Sequence, residues 1–392
     1  MKVAHRLSRL GLTELVRVRL RVEEMRSRGV RVLQLEGGEP FMTTPAAIKQ
    51  AMHAAIDADR SHYPPPSGIL ELREAARAKL SRKNGIEAET NNIIVTPGAG
   101  HGLFCAFLAT VDAGDEVVCF SPYWTPILDQ VSFASGVPVT IPWSEIREES
   151  GPRETLATRI VQAVESRVTP RTRVIYLNSP ANPTGDVLNR EQLAAIASVA
   201  IKHDLTVVSD EAYEDLVYDS EHVSIASLPG MSERTISIFT LSKSYAMTGW
   251  RIGYMVVPPL WAESMHKLVV ATIHGVSTPT QFAVAGAVGA EDESRIRQMR
   301  DAYRIRRDLL TSGLQAAGFH CRPSQGTFYA FPDVSRRLGS DSWKAMETLL
   351  ERTAIAAVPG VVFGCEGEGH LRMSFSTSLE TINEALRALK RL

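Results

Sequence analysis

From residue 91 to residue 257 the chain alternates short runs of Val, Ile and Leu with longer stretches of helical character. The runs are IIV, EVVCF, VPVTIP, RVIYL, LTVV, TISIFTL and IGYMVV. Most are continuously apolar rather than alternating, as strands are when both faces of their sheet are covered. Between them lie HGLFCAFLATV, a stretch after SPYW, residues Thr155 to Ser166, and EQLAAIASVAIKHD, all read as helices. The pattern predicts an α/β fold with a mostly parallel central sheet sandwiched by helices.

After this region the pattern changes. A long helix is expected from Glu293 to Ala317, with Ile296, Met299, Tyr303, Leu310 and Leu314 at roughly helical spacing. Strands are expected in GTFYAFPDV, IAAVPGVVF and HLRMSFS, and a last helix from Leu379 to Leu392. At the other end, an amphipathic helix is expected over Leu12 to Ser27, followed by VRVLQLEGGEP. The expected division is a large domain over 41–291 and a smaller α+β domain built from 1–40 and 292–392, since chain ends often lie close together.

A chain of 392 residues exceeds the usual size of a single core. Its 43 basic residues nearly balance 44 acidic ones, so no nucleic-acid or anionic-membrane footprint shows. No apolar run approaches the roughly 20 residues that span a bilayer. The N-terminal arginines are interrupted by Glu14, Glu23 and Glu24, unlike an acid-poor transit peptide. Cys105, Cys119, Cys321 and Cys365 form no C-x-x-C pair, and no His/Cys cluster has metal-ligand spacing. Buried reduced thiols in the cytoplasm are the expectation, with no metal.

In α/β sheets ligands sit outside the carboxyl ends of the strands. Those ends carry a glycine turn (Gly98, Ala99, Gly100), then Trp124, Asn182, Asp210 with Tyr213, and Ser242 with Lys243. The turn GAGHG suits either a phosphate on free backbone N–H groups or an ordinary tight turn. Its spacing is not the G-x-G-x-x-G of a dinucleotide site. Asp210 closes an apolar strand and is either a helix N-cap, one half of a structural ion pair, or the partner of a protonated ring nitrogen. Lys243, flanked by Ser242, Ser244 and Tyr245, is either a loop lysine or an amine nucleophile freed for Schiff-base formation by a lowered pKa. Arg251, eight residues on, has a forked donor face suited to phosphate. Trp124 can stack on a planar ring or fill a core. Arg372, inside an apolar strand, needs an anion: a substrate carboxylate or a buried acid.

These residues in this order resemble the class I/II aminotransferases of the fold-type I pyridoxal-phosphate enzymes. The resemblance runs from GGEPFMTTP through YPPPSGILELREA, NPTG, SDEAYE and SKSYAMTGWRIGY to HLRMSFS, nearly the whole chain. It implies a pyridoxal 5'-phosphate cofactor, cycling through pyridoxamine phosphate, and ping-pong transfer of an amino group from an L-amino acid to a 2-oxo acid. Lys243 takes the position of the imine-forming lysine and proton carrier, and Asp210 that of the pyridinium partner. Tyr213 and Asn182 stand by the ring oxygen, and Trp124 stacks on the ring. Ala99, Gly100, Ser242 and Arg251 form the phosphate cup. Arg372 clamps the α-carboxylate beside Gly38. Tyr63 matches a tyrosine lent by the second subunit of a homodimer. A lyase, decarboxylase or oxidase on the same scaffold is the alternative chemistry. A regulator would carry an added DNA-binding segment, and none is seen. Phe41, Met42 and Thr43 depart from the GEPDFDTP of many relatives, and Gly100 stands where dicarboxylate enzymes often carry Lys. With Leu12 and Tyr329, Met42 suits an apolar or aromatic substrate side chain.

Overall fold

The computed structural model describes Leu7 and residues 14–147, 155–290 and 292–392. Seven strands form the main sheet. Across it they run Ile93–Thr96, Gly253–Val256, Thr235–Thr240, Thr206–Asp210, Thr172–Asn178, Glu116–Ser121 and Val137–Pro142. Only Gly253–Val256 runs antiparallel to its neighbours; the other pairings are parallel. The expected α/β architecture is therefore present, with every one of the seven apolar runs in one sheet.

Both faces of this sheet are covered, which is why the runs are apolar throughout. Val118, Ile175 and Val207 pack on one side with the helix Arg190–Lys202. Their chain neighbours Val117, Val174 and Val208 pack on the other with the helix Ala99–Thr110. Adjacent residues enter opposite cores because successive strand side chains alternate faces. The helix Arg190–Lys202 starts at a capping box between Asn189 and Gln192, which satisfies two N–H groups that helix geometry leaves open.

A further core surrounds the helix Glu293–Ala316. Tyr303, Leu310 and Leu314 pack there against Phe328, Met373, Phe375 and Ile382. A three-stranded antiparallel sheet lies within this region, ordered Val358–Pro359, Leu371–Ser374, Tyr329–Ala330. Leu33–Gln34 pairs in parallel with Ile355–Ala356, so the two ends of the chain are hydrogen-bonded together. The run IAAVPGVVF is not one strand: it breaks into two short strands and a 3-10 turn at Gly360–Phe363. Pro359 lacks an N–H to extend a ladder, and Gly360 packs within contact of the Gly367 and His370 backbone. The N-terminal helix is described over Glu14–Ser27. Leu12 lies outside the described residues. Among those residues, no helix is long and apolar enough to cross a membrane.

Candidate active site

The carboxyl ends of the strands open into a cavity of about 890 Å³. Gly38, Ala99, Gly100, Trp124, Asn182 and Asp210 line it, as do Tyr213, Ser242, Lys243, Arg251 and Arg372. Eleven of the twelve residues singled out in the sequence thus meet in one place. Tyr63 does not. It is 88% exposed, its ring stands 5.3 Å from His274, and it does not line the cavity of its own protomer.

Lys243 sits in the single helical turn Leu241–Ser244 that follows the strand ending at Thr240. Thr240 caps this turn, accepting from the Ser242 N–H. Lys243 Nζ donates to the Gly38 carbonyl at 2.7 Å. Burial lowers the lysine's pKa; the Tyr329 phenol opposes this, and the Arg372 and Arg251 guanidiniums add to it. The Glu39 carboxylate also opposes the shift from outside bonding distance; the net change favours the neutral, nucleophilic amine, and no carboxylate among the described residues bonds to it.

Asp210 ends its strand in register with Asn178. It is 5% exposed. Burial pushes its carboxyl up to about 6, against the Ala212 N–H and the Tyr176 hydroxyl, which both favour the charged form. Tyr176 donates to Oδ2 at 3.2 Å and the Ala212 N–H donates to Oδ1 at 3.2 Å. No cationic side chain among the described residues pairs with it. A buried acid without a cation is costly, and a protonated ring nitrogen in the cavity would meet that need.

Arg251 presents the converse. Its guanidinium donates to two carbonyls, Thr248 at 2.8 Å and Pro97 at 3.2 Å, and pairs with no acid among the described residues. It faces the start of the helix Ala99–Thr110, whose N-cap is Gly98 at φ +79° and which no side chain caps. A Cβ on Gly98 would stand 2.9 Å from Arg251 Nη2. The uncapped N–H groups, the positive helix end and a permanent cation fit a phosphate group. Ser242, buried beside them, receives a hydrogen bond from Thr240 at 3.0 Å.

Arg372 is buried, stacked over Tyr329 at 4.2 Å. Nη1 donates to Asn182 Oδ1 and Nη2 to the Glu36 carbonyl, each at 3.0 Å, while Nε is buried with no partner. No acid pairs with it among the described residues, so the ion-pair reading of this arginine fails and an external anion is left. The Tyr213 hydroxyl meets that of Tyr329 at 3.2 Å. Burial, then Tyr329, holds the Tyr213 phenol well above its ordinary pKa, so it is a neutral donor.

Several residues in the cavity wall, and Tyr176 buried behind it, escaped the sequence reading. Tyr176 and Asn178 act on Asp210 only because of the strand register, which no local pattern announces. Thr248, Glu36, Glu39 and Ser376 also line the cavity. Met42, expected near a substrate side chain, packs instead against the core around Tyr303, and Phe41 meets the Tyr303 ring edge-on at 4.9 Å. Both are drawn away because that aromatic core offers them more apolar contact than the polar cavity does. Tyr329 does line the cavity.

The sheet, the cavity and the unpaired charges fit the class that the sequence resembles, a pyridoxal-phosphate-dependent transferase of α/β fold. Comparison with known proteins agrees. The model of the family "Aminotransferase class I and II" matches residues 31–389. An aspartate/prephenate aminotransferase of Thermus thermophilus is 38% identical over 394 residues, covering 100% of this chain and 98% of its own. An aspartate aminotransferase of Bacillus subtilis is 34% identical, with 100% and 98% covered. The structure of a Thermus thermophilus aspartate aminotransferase with maleate superposes with a TM-score of 0.91 at 37% identity, covering 100% of this chain and 99% of that one. This chain belongs to the class I and II aminotransferases, and it is an enzyme of that kind, using pyridoxal phosphate on amino-acid and keto-acid substrates.

Proposed function

We propose that this cavity carries a ping-pong transamination in which Lys243 is both the cofactor's covalent attachment point and the proton carrier. The observation behind it is the charge pattern. An amine with a lowered pKa shares one cavity with an acid lacking a cation, Asp210, and two cations lacking an anion, Arg251 and Arg372. Pyridoxal phosphate, when bound, supplies a ring that stabilises the electron pair left at the substrate's Cα once its proton is gone. Arg251, Ser242 and the N–H groups of Ala99 and Gly100 hold its phosphate. Asp210, ionised, holds its ring nitrogen protonated, and Tyr176 holds Asp210. Trp124 covers a ring face, and Asn182 and Tyr213 donate to the ring oxygen. Arg372 fixes the substrate α-carboxylate, with Nε as its uncommitted donor and the stacked Tyr329 limiting its movement. Lys243, released from the Gly38 carbonyl, takes the Cα proton as a general base and returns it on the cofactor side as a general acid.

The same reading places Tyr63 in the partner subunit's site, since its exposure leaves it free to reach across a two-fold interface. It also assigns 41–291 to the large domain and 1–40 with 292–392 to the small one. The four unpaired cysteines support a cytoplasmic protein. The deciding experiment mixes the loaded enzyme with an amino acid alone, then adds a 2-oxo acid. Transamination requires stoichiometric conversion without acceptor and turnover with it. Continuous turnover without acceptor, releasing ammonia, would refute it.

A further inference from the structure

We infer that Glu36 selects the substrate side chain, and that the enzyme prefers L-amino acids whose side chains end in an N–H donor, basic ones first. This rests on the transaminase reading of the cavity and extends it to the substrate class.

Glu36 lies two residues before Gly38 and lines the same cavity. Its backbone carbonyl accepts from Arg372 Nη2, so it stands beside the proposed carboxylate clamp. Its side chain is reached by a relay from the N-terminal helix. Arg26 Nη2 donates to Gln34 Oε1 at 2.5 Å, and Gln34 Nε2 donates to Glu36 Oε1 at 2.8 Å. The relay satisfies one carboxylate oxygen. The other, Oε2, is buried and has no partner. A buried unpaired acceptor costs free energy that a donor arriving with the substrate would recover.

The rest of the lining points the same way. The cavity's cations are Arg19, Arg26, Lys243, Arg251 and Arg372. Arg19 is paired with Glu23, and Arg26 is engaged by Gln34. The other three have the cofactor and α-carboxylate duties argued above. Within one protomer each described lining cation has a bond or a proposed duty, Arg26 through a neutral amide that leaves its charge uncompensated, whereas Glu36 Oε2 and the Glu39 side chain offer negative charge. A distal carboxylate would meet repulsion here, and an apolar tip would leave Oε2 unpaired. Sites built around such a group discriminate strongly against analogues that lack its partner.

The test compares lysine with norleucine, which has a chain of similar length and no donor, and with glutamate. Alanine reports that each preparation is folded and loaded. In the wild-type holoenzyme kcat/KM for lysine should exceed that for norleucine by about tenfold or more, the worth of one charge-assisted hydrogen bond. Glutamate should be poorer still. Glu36→Leu should bring the lysine-to-norleucine ratio toward one, and Glu36→Gln, which keeps the tie to Gln34, should lower it partway. Calorimetric binding of the α-methyl analogues, which cannot lose a Cα proton, should follow the same order. Preference for glutamate or norleucine, or a ratio unmoved by both substitutions, would overturn the role of Glu36 while leaving transamination standing. Failure of every amino acid, alanine included, would overturn the transaminase reading and this inference with it.

Discussion

Lys243 and Asp210 show what a residue's surroundings add to its type. Lys243→Ala removes both the attachment point and the base, so single-turnover transamination should fall by at least 10²–10⁴-fold, roughly the worth of positioned acid–base catalysis. Asp210 offers a pH test of the protein without cofactor. Its folded pKa, about 6, lies above the ordinary 3.8. The buried acid therefore costs nothing below about pH 4, and stability is lost as pH rises through about 6. The loss approaches 3 kcal/mol, about two pKa units. Thermal melts of the cofactor-free protein should show this decline, and Asp210→Asn should flatten it while weakening the cofactor's activity. Asp210 and Lys243 stood out as charges at the ends of apolar runs, and the family resemblance, not the runs alone, assigned their roles. Tyr176 and Glu36 did not stand out. Tyr176 reads as one more apolar strand residue, and nothing in LQLEGG announces that one oxygen of Glu36 stays unpaired.

Elements hold these residues in place through a few positions that tolerate little change. Gly98 is one: its φ of +79° strains any side chain, and a Cβ would stand 2.9 Å from the end of Arg251, which would have to shift. Gly98→Ala should cost roughly 1–3 kcal/mol of stability and, by displacing Arg251, weaken pyridoxal phosphate binding about tenfold in a fluorescence titration, one charge-assisted contact's worth. Another lies behind the SDEAYED loop. Lys79 Nζ bonds both oxygens of Glu214, at 2.5 and 2.6 Å, with both side chains buried. Lys79→Ala removes both of those bonds from a buried acid that keeps the Asn84 amide at 2.9 Å and the nearby Lys83 charge, and should destabilise the fold by about 3–5 kcal/mol, read by chemical denaturation. The strands of the main sheet were legible because burial on both faces imposes an unbroken apolar run. The break in IAAVPGVVF was obscured because its halves are equally apolar, and the contact that splits them comes from Gly367, distant in packing rather than in pattern.

At the scale of the molecule, the fold gathers residues from both ends of the chain around one cavity. The pairing of Leu33–Gln34 with Ile355–Ala356 brings Gly38 and Glu36 to Arg372. Two-residue strands carry no periodicity, so this long-range closure could not be read locally, whereas the strand-end rule located most of the cavity. The exposed Tyr63 adds a claim about assembly. A heterodimer of one Tyr63→Ala and one Lys243→Ala protomer would hold one site with both residues intact. Mixed after unfolding and refolding together, the two variants should recover activity that neither homodimer shows, whereas a tyrosine acting within its own chain would give no recovery. The account as a whole stands on the cofactor being joined to Lys243 inside this cavity. Borohydride reduction of the loaded protein, followed by peptide mass spectrometry, measures that directly. The predicted result is one pyridoxyl-phosphate label per chain, on the peptide containing Lys243 and absent from Lys243→Ala; a label on another lysine, or none, would contradict it.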